Sequence, residues 1–151
     1  LSAIGFRFFT VYGPWGRPDM ALYLFTNAIL AGRPIKVFNN GRMSRDFTYI
    51  DDATNAVATA VGMPPDAPGE HGIYNVGNNR PETLLDFIAT LERALGRPAI
   101  KQMVPMQLGD VLSTYADIEA TRRDFGFAPK TPISEGIPRF VAWYREYHRL
   151  A

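Results

Sequence analysis

The chain has 151 residues, 46% of them apolar, which is enough for one domain with a real core and excludes a disordered chain. Lys and Arg number 16 and Asp and Glu 15, so the formal charge of +1 provides no broad basic field for nucleic acid or membrane lipid. The absence of cysteine excludes disulfides, thiolate metal sites and a cysteine nucleophile, and it fits a cytoplasmic protein.

The chain opens on LSAIGFRFF, which runs straight into a strand pattern, so a truncated start is expected. Residues 3–11 are almost continuously apolar, which predicts a strand buried on both faces of a parallel sheet. Gly13-Pro14-Trp15-Gly16 stops it. Asp19 is placed to cap a helix in which Ala21, Leu24, Phe25 and Ala28 keep helical spacing, and Gly32 and Pro34 end that helix. Residues 35–38 predict a short strand closed by Asn39-Asn40-Gly41. Residues 47–50 predict another. Asp51 or Asp52 then caps a helix whose stripe of Ala53, Ala56, Val57, Ala60 and Val61 calls for close packing on a sheet.

Three prolines and two glycines make 63–72 a loop, and 73–76 a strand. Thr83 with Asp86 forms a capping box ahead of a helix faced by Leu84, Phe87, Ile88, Leu91 and Leu95, which Gly96-Arg97-Pro98 terminates. Residues 100–104 predict a strand and 113–116 an extended piece. Asp117 caps a short helix ended by Gly126. A last helix starts at Ser134, with Ile137, Phe140, Val141 and Tyr144 on one side. Strands alternating with helices argue for α/β architecture.

Several residues have the chemistry to hold an anionic nucleotide. Arg17 follows a strand end, where ligands bind in open α/β sheets, and its guanidinium can grip phosphate oxygens bidentately. Arg45 lies between a turn and a strand, so the two arginines could neutralise one pyrophosphate. Phe38 offers a face on which a base could stack, Thr10 a hydroxyl at a strand end, and Asp110 an acceptor for ribose hydroxyls or for an arginine. Taken singly, each has a plain structural explanation. Arg17 could be a solvated loop arginine, Arg45 a surface partner of Asp46, Phe38 core packing, Thr10 a local backbone bond, and Asp110 a turn residue.

Other chemistries find no support. Gly13-x-x-Gly16 is followed by Asp19 rather than glycine, so the dinucleotide fingerprint fails. There is no Tyr-x-x-x-Lys, nucleophile elbow or Ser/His/Asp hydrolase set, and His71 and His148 have no metal-ligand spacing. No signal peptide is visible, and no apolar run approaches the roughly 20 residues that span a bilayer.

Six segments carry a resemblance. They are RFFTVYGPWGRPDM at 7–20, VFNNG at 37–41, RDFTYIDD at 45–52, YNVG at 74–77, GDV at 109–111 with YAD at 115–117, and the stretch 136–144. They resemble the C-terminal part of the extended short-chain dehydrogenases/reductases, the NAD-dependent epimerase/dehydratase family, on the side of its UDP-glucuronate 4-epimerases. The first segment is specific to the glucuronate epimerases, and the RDFTYIDD segment is shared by many nucleotide-sugar enzymes. The resemblance implies the terminal part of a Rossmann-like doubly wound sheet plus a small mixed α/β substrate-binding lobe. Residues 1–13 would be a late Rossmann strand and 1–151 a single substrate-binding portion, with the NAD-binding domain and the catalytic groups lying upstream. It also implies that Thr10 approaches the sugar carboxylate or phosphate region, Phe9 lies near the nicotinamide, and Arg17 and Arg45 hold the pyrophosphate. Phe38 with Asn39 would hold the uracil, and Asp110 would meet the ribose. Where related epimerases often carry an arginine, this chain has Gln107.

The expected function is UDP-sugar binding within an NAD-dependent 4-epimerase that interconverts UDP-glucuronate and UDP-galacturonate. The chain alone is expected to be inactive, and the whole enzyme to be a homodimer. Two readings stay open at this point: part of a nucleotide-sugar 4,6-dehydratase, and a non-catalytic nucleotide- or protein-binding module.

Overall fold

The computed structural model describes residues 3–62 and 71–150. Most of the loop expected at 63–72 lies outside them. The first predicted strand is two. β1 (Ala3–Phe8) pairs in parallel with β5 (His71–Val76), and β2 (Thr10–Tyr12) pairs in parallel with β4 (Ser44–Tyr49). The partner changes at Phe9, whose N–H still donates to the Val76 carbonyl at 3.0 Å while its own carbonyl accepts from Val11 N–H at 2.8 Å. The expectation of a strand buried on both faces fails for β1. Only alternate residues are partly covered, and Phe8 is 51% exposed.

Helix α1 spans Ala21–Leu30 and packs Leu22 and Ile29 inward. β3 (Ile35–Val37) ends in a 3-10 turn over Phe38–Gly41, in which Asn39 and Asn40 take positive φ of 48° and 52°. That conformation explains the asparagines, which tolerate the left-handed region better than branched residues do. α2 (Ile50–Gly62) follows β4 with no intervening loop, and Asp51 and Asp52 stand in its first turn, where carboxylates favour the helix dipole. β6 (Pro81–Thr83) pairs antiparallel with the start of β4, a strand that the residue pattern did not signal.

The capping box opens α3 (Leu84–Leu95). Thr83 Oγ1 accepts from Asp86 N–H at 3.1 Å and donates to its carboxylate at 2.7 Å. β7 (Lys101–Met103) runs parallel to β3. α4 (Glu119–Phe125) begins with Asp117 accepting from Glu119 N–H at 3.0 Å. α5 (Ile133–Tyr147) closes the chain, burying the anticipated Ile137, Phe140, Val141 and Tyr144.

The β2-β4-β6 sheet separates two cores. On one side Tyr12, Phe47 and Tyr49 pack with Phe87 and Leu91 of α3 and Ile137 and Phe140 of α5. Phe47 stacks on Phe87 with ring centres 4.1 Å apart. On the other side Val76, Ala53, Ala56, Ala116, Ile118 and Phe127 form a smaller cluster, against which Phe6, Phe9 and Val11 lean. The small alanines of α2 permit that close approach.

Candidate functional site

The loop after β2 is shaped by close contact. Gly13 has φ 138°, and a Cβ there would lie 2.5 Å from Ile50 Cγ2, so only glycine fits. Trp15, at φ 61°, is 75% exposed, yet its ring lies 5.4 Å from Trp143 and 5.2 Å from Tyr147, which pins the loop to α5. Arg17 projects from this loop and forks onto Asp19, with Nε donating to Oδ1 at 3.0 Å and Nη2 to Oδ2 at 2.5 Å. The Arg17 hydrogen bond holds the Asp19 carboxyl below its usual range. The expectation that Asp19 caps α1 is corrected here. Met20 occupies the cap position, with no side-chain bond.

Thr10 lies directly opposite Phe47 in the parallel register, and Arg45 is two residues before Phe47. Alternation along a strand therefore puts Thr10, Phe47 and Arg45 on one face of the sheet. Thr10 and Arg17 line the same narrow hollow beside Tyr12 and Phe47. Arg17 also stands at the edge of a wider apolar hollow of about 440 Å³, whose walls include Phe9, Trp15, Ile50 and Val57. Tyr12 and Tyr49 offer no general base. Burial, reinforced by nearby carboxylates, pushes both phenols up and keeps them protonated.

Arg45 is largely covered, with its side chain 19% exposed. Nη1 donates to its neighbour's Ser44 carbonyl at 2.8 Å, and Nη2 donates to Asp110 Oδ1 at 2.6 Å. Asp110 Oδ1 also accepts from Val111 N–H at 2.9 Å. The pair gives Arg45 a fixed direction, and it corrects the alternative of a surface pair with Asp46. Asp46 points to the other face and is wholly buried. Its Oδ1 accepts from Asn78 N–H at 2.5 Å, its Oδ2 accepts from Ala116 N–H at 3.0 Å, and its own N–H donates to Thr114 Oγ1 at 3.0 Å. Ser44 Oγ meets Ser113 Oγ at 2.7 Å. The segment carrying Asp110 is thereby fastened alongside β4. Sequence reasoning missed Asp46, because β4 carries polar residues on both faces and nothing local marks which of them is buried.

Phe38 is half-buried in the 3-10 turn. Asn39 Nδ2 donates to the Arg42 carbonyl at 3.0 Å, which closes the turn. Asn40 N–H donates to the Val104 carbonyl at 3.2 Å, so this corner adjoins the stretch after β7 that leads to Asp110.

Arg45 and Asp110 are thus in contact, and Thr10 shares one hollow with Arg17 while Phe9 shares another with it. The two arginines were expected to converge. Each has its own carboxylate partner, Asp19 for Arg17 and Asp110 for Arg45. Among the described residues no group of three or more His, Cys, Asp or Glu could hold a metal ion. No helix among them is long and apolar enough to cross a membrane.

The fold is a mixed α/β arrangement of the Rossmann-like kind found in nucleotide-sugar enzymes. Its backbone superposes on that of MoeE5, solved in complex with UDP-glucuronic acid and NAD, with a TM-score of 0.89 and 28% identity over 97% of this chain and 48% of that one. It also superposes on the UDP-glucuronic acid 4-epimerase of Bacillus cereus, solved with UDP-glucuronic acid and NAD, with a TM-score of 0.86 and 31% identity over 94% of this chain and 45% of that one. The family model for the NAD dependent epimerase/dehydratase family matches residues 1–77, and the chain belongs to that family. A probable UDP-glucuronate 4-epimerase of Rhizobium meliloti is 46% identical over 161 residues, which is 97% of this chain and 47% of that protein. The chain spans about half the length of the curated relatives it matches.

Proposed function

We propose that this chain is the substrate-binding portion of an NAD-dependent UDP-sugar 4-epimerase that interconverts UDP-glucuronate and UDP-galacturonate, working in the cytoplasm as a homodimer. The observation that supports it is the one-sided array on β2 and β4. The covered Arg45–Asp110 pair and Thr10 lie on one sheet face, and Arg17 lines a hollow together with Thr10. An elongated ligand with two anionic groups fits that arrangement.

Arg45 holds the diphosphate, Asp110 meets the ribose and keeps Arg45 aimed, and Phe38 with Asn39 receives the uracil. Arg17 was expected to share the diphosphate with Arg45. Because Arg17 and Thr10 line one hollow, this reading gives both of them to the uronate carboxylate instead. NAD, held by the part of the enzyme outside this chain, would supply reversible hydride transfer at C4 of the sugar. Phe9 and its apolar neighbours would contribute one apolar wall to that space. Remote binding of UDP accelerates such chemistry only by positioning the reacting carbon, so the anchor at Arg45 must be firm and the sugar contacts exchangeable. The resemblance of these relatives to the chain, together with this array, favours a uronate over the neutral hexose of a 4,6-dehydratase.

The test is an assay of the complete protein. UDP-glucuronate should yield UDP-galacturonate, dTDP-glucose should remain undehydrated, and Arg45→Ala should raise KM for the uronate at least about tenfold, in line with loss of a charged hydrogen-bonded contact. Dehydration of dTDP-glucose without epimerisation, or an unchanged KM, refutes the reading. The 151-residue chain by itself should show no turnover.

A further inference from the structure

We propose that Asp19 is a built-in competitor for Arg17 and sets how tightly the site takes an acidic sugar. This rests on the reading of Arg17 as a partner of the uronate carboxylate.

Both Asp19 oxygens are engaged by the Arg17 fork, at 3.0 Å and 2.5 Å, in the geometry that a ligand carboxylate would itself adopt. The two cannot hold the fork together. Among the described residues the side chain that the Asp19 carboxylate meets is Arg17. It stands two residues ahead of α1, and the cap position at Met20 has no side-chain bond. The pair is also cheap to exchange. The side chains are 74% and 64% exposed, so water compensates either partner on release. Arg17 stands at the edge of both hollows, so a turn of its side chain away from Asp19 is enough to bring it onto a ligand there.

The consequence is selective. A neutral sugar leaves the Arg17–Asp19 pair undisturbed and neither gains nor loses. A uronate gains the Arg17 contact but must first displace Asp19, so its grip is softened. A softened grip suits a sugar that has to present two faces in turn.

The experiment uses the complete enzyme and equilibrium calorimetry at low ionic strength, with UDP, UDP-glucose and UDP-glucuronate as probes. Asp19→Asn keeps the shape and removes the charge. It should bind UDP-glucuronate about two- to fivefold tighter, the range that exposed ion pairs support, and leave UDP and UDP-glucose unchanged. The uronate KM should fall with no rise in kcat. In an Arg17→Ala background the same substitution should have no effect, since the competitor then has nothing to compete for. Unchanged or weaker uronate binding in Asp19→Asn overturns the proposal, as does equal tightening of all three ligands. If Arg17→Ala weakens the uronate while Asp19→Asn is silent, the Asp19 proposal alone fails. If Arg17→Ala leaves the uronate unaffected, the reading of Arg17 fails with it.

Discussion

Three neighbouring polar residues of β4 have three different outcomes. Arg45 faces the candidate site, while Asp46 and Thr48 both point into the core. The Asp46 oxygens meet two backbone N–H groups that pass close by. Gly77 makes this possible, since a Cβ there would lie 2.2 Å from Ala116 Cβ and push the two segments apart. Thr48 is equally buried, but its hydroxyl has no partner among the described residues. A buried hydroxyl without a partner keeps its desolvation cost. Thr48→Val, nearly the same shape, should therefore stabilise the complete protein by about 1 kcal/mol. Thermal unfolding reads this as a raised Tm, and a lowered Tm would show that the hydroxyl is bonded after all. At this scale the sequence revealed Arg45 as a cation beside a turn. It offered Asp110 as an acceptor for an arginine but not which arginine, because the two lie 65 positions apart.

Helices were the most legible elements. The Thr83–Asp86 box and the run from Leu84 to Leu95 identified α3 because its start signal and its 3.6-residue period are both local. Its far end has a longer reach. Glu92 Oε1 accepts from Ala99 N–H at 2.7 Å and from Lys101 Nζ at 2.5 Å, which ties α3 to the start of β7. Burial raises the Glu92 pKa, but the Lys101 hydrogen bond, the Ala99 N–H and the nearby positive charges outweigh it, so the net shift is downward. A carboxylate with a lower pKa folded than unfolded adds stability above its ordinary value and loses it as pH falls through the folded value. Glu92→Gln should accordingly be less stable than the wild type at pH 7, and the difference should close once pH drops well below the ordinary value of 4.5. Urea unfolding at several pH values checks this, and a deficit that persists at low pH would exclude the ionic cause. The short β6 was not legible. Three residues beginning with proline carry no periodic signal, and only the antiparallel pairing with Ser44–Asp46 makes them a strand.

For the molecule as a whole, the sheet of β2, β4 and β6 is covered on both sides, whereas β1 is not. Phe8 and the hollow beside Phe9, Trp15 and Val57 leave a continuous apolar surface open to solvent. Surfaces of that kind seek partners. The 151-residue chain produced by itself should self-associate at micromolar concentration, as measured by light scattering, and a sharp monomer peak would contradict this. The loop that carries Arg17 is held to the α5 aromatics, and strand β4, which carries Arg45, to the 112–116 segment. The candidate site is therefore a property of the assembled layers, and neither the loop nor the strand forms it alone.

The sequence by itself determined what depends on near neighbours along the chain. It marked the α/β alternation, the capping box of α3, the Gly126 end of α4, the buried face of α5, the turn at Asn39-Asn40 and the residue types suited to an anionic nucleotide. Local backbone preference and side-chain periodicity act over a few residues, so they can be read there. Only the tertiary structure decided that the first strand changes partner at Phe9, that Asp46 fastens three segments, and that Arg45 pairs with Asp110 while Arg17 pairs with Asp19. These depend on register and on contacts between distant segments, where a shift of one residue would turn every side chain of a strand to the opposite face.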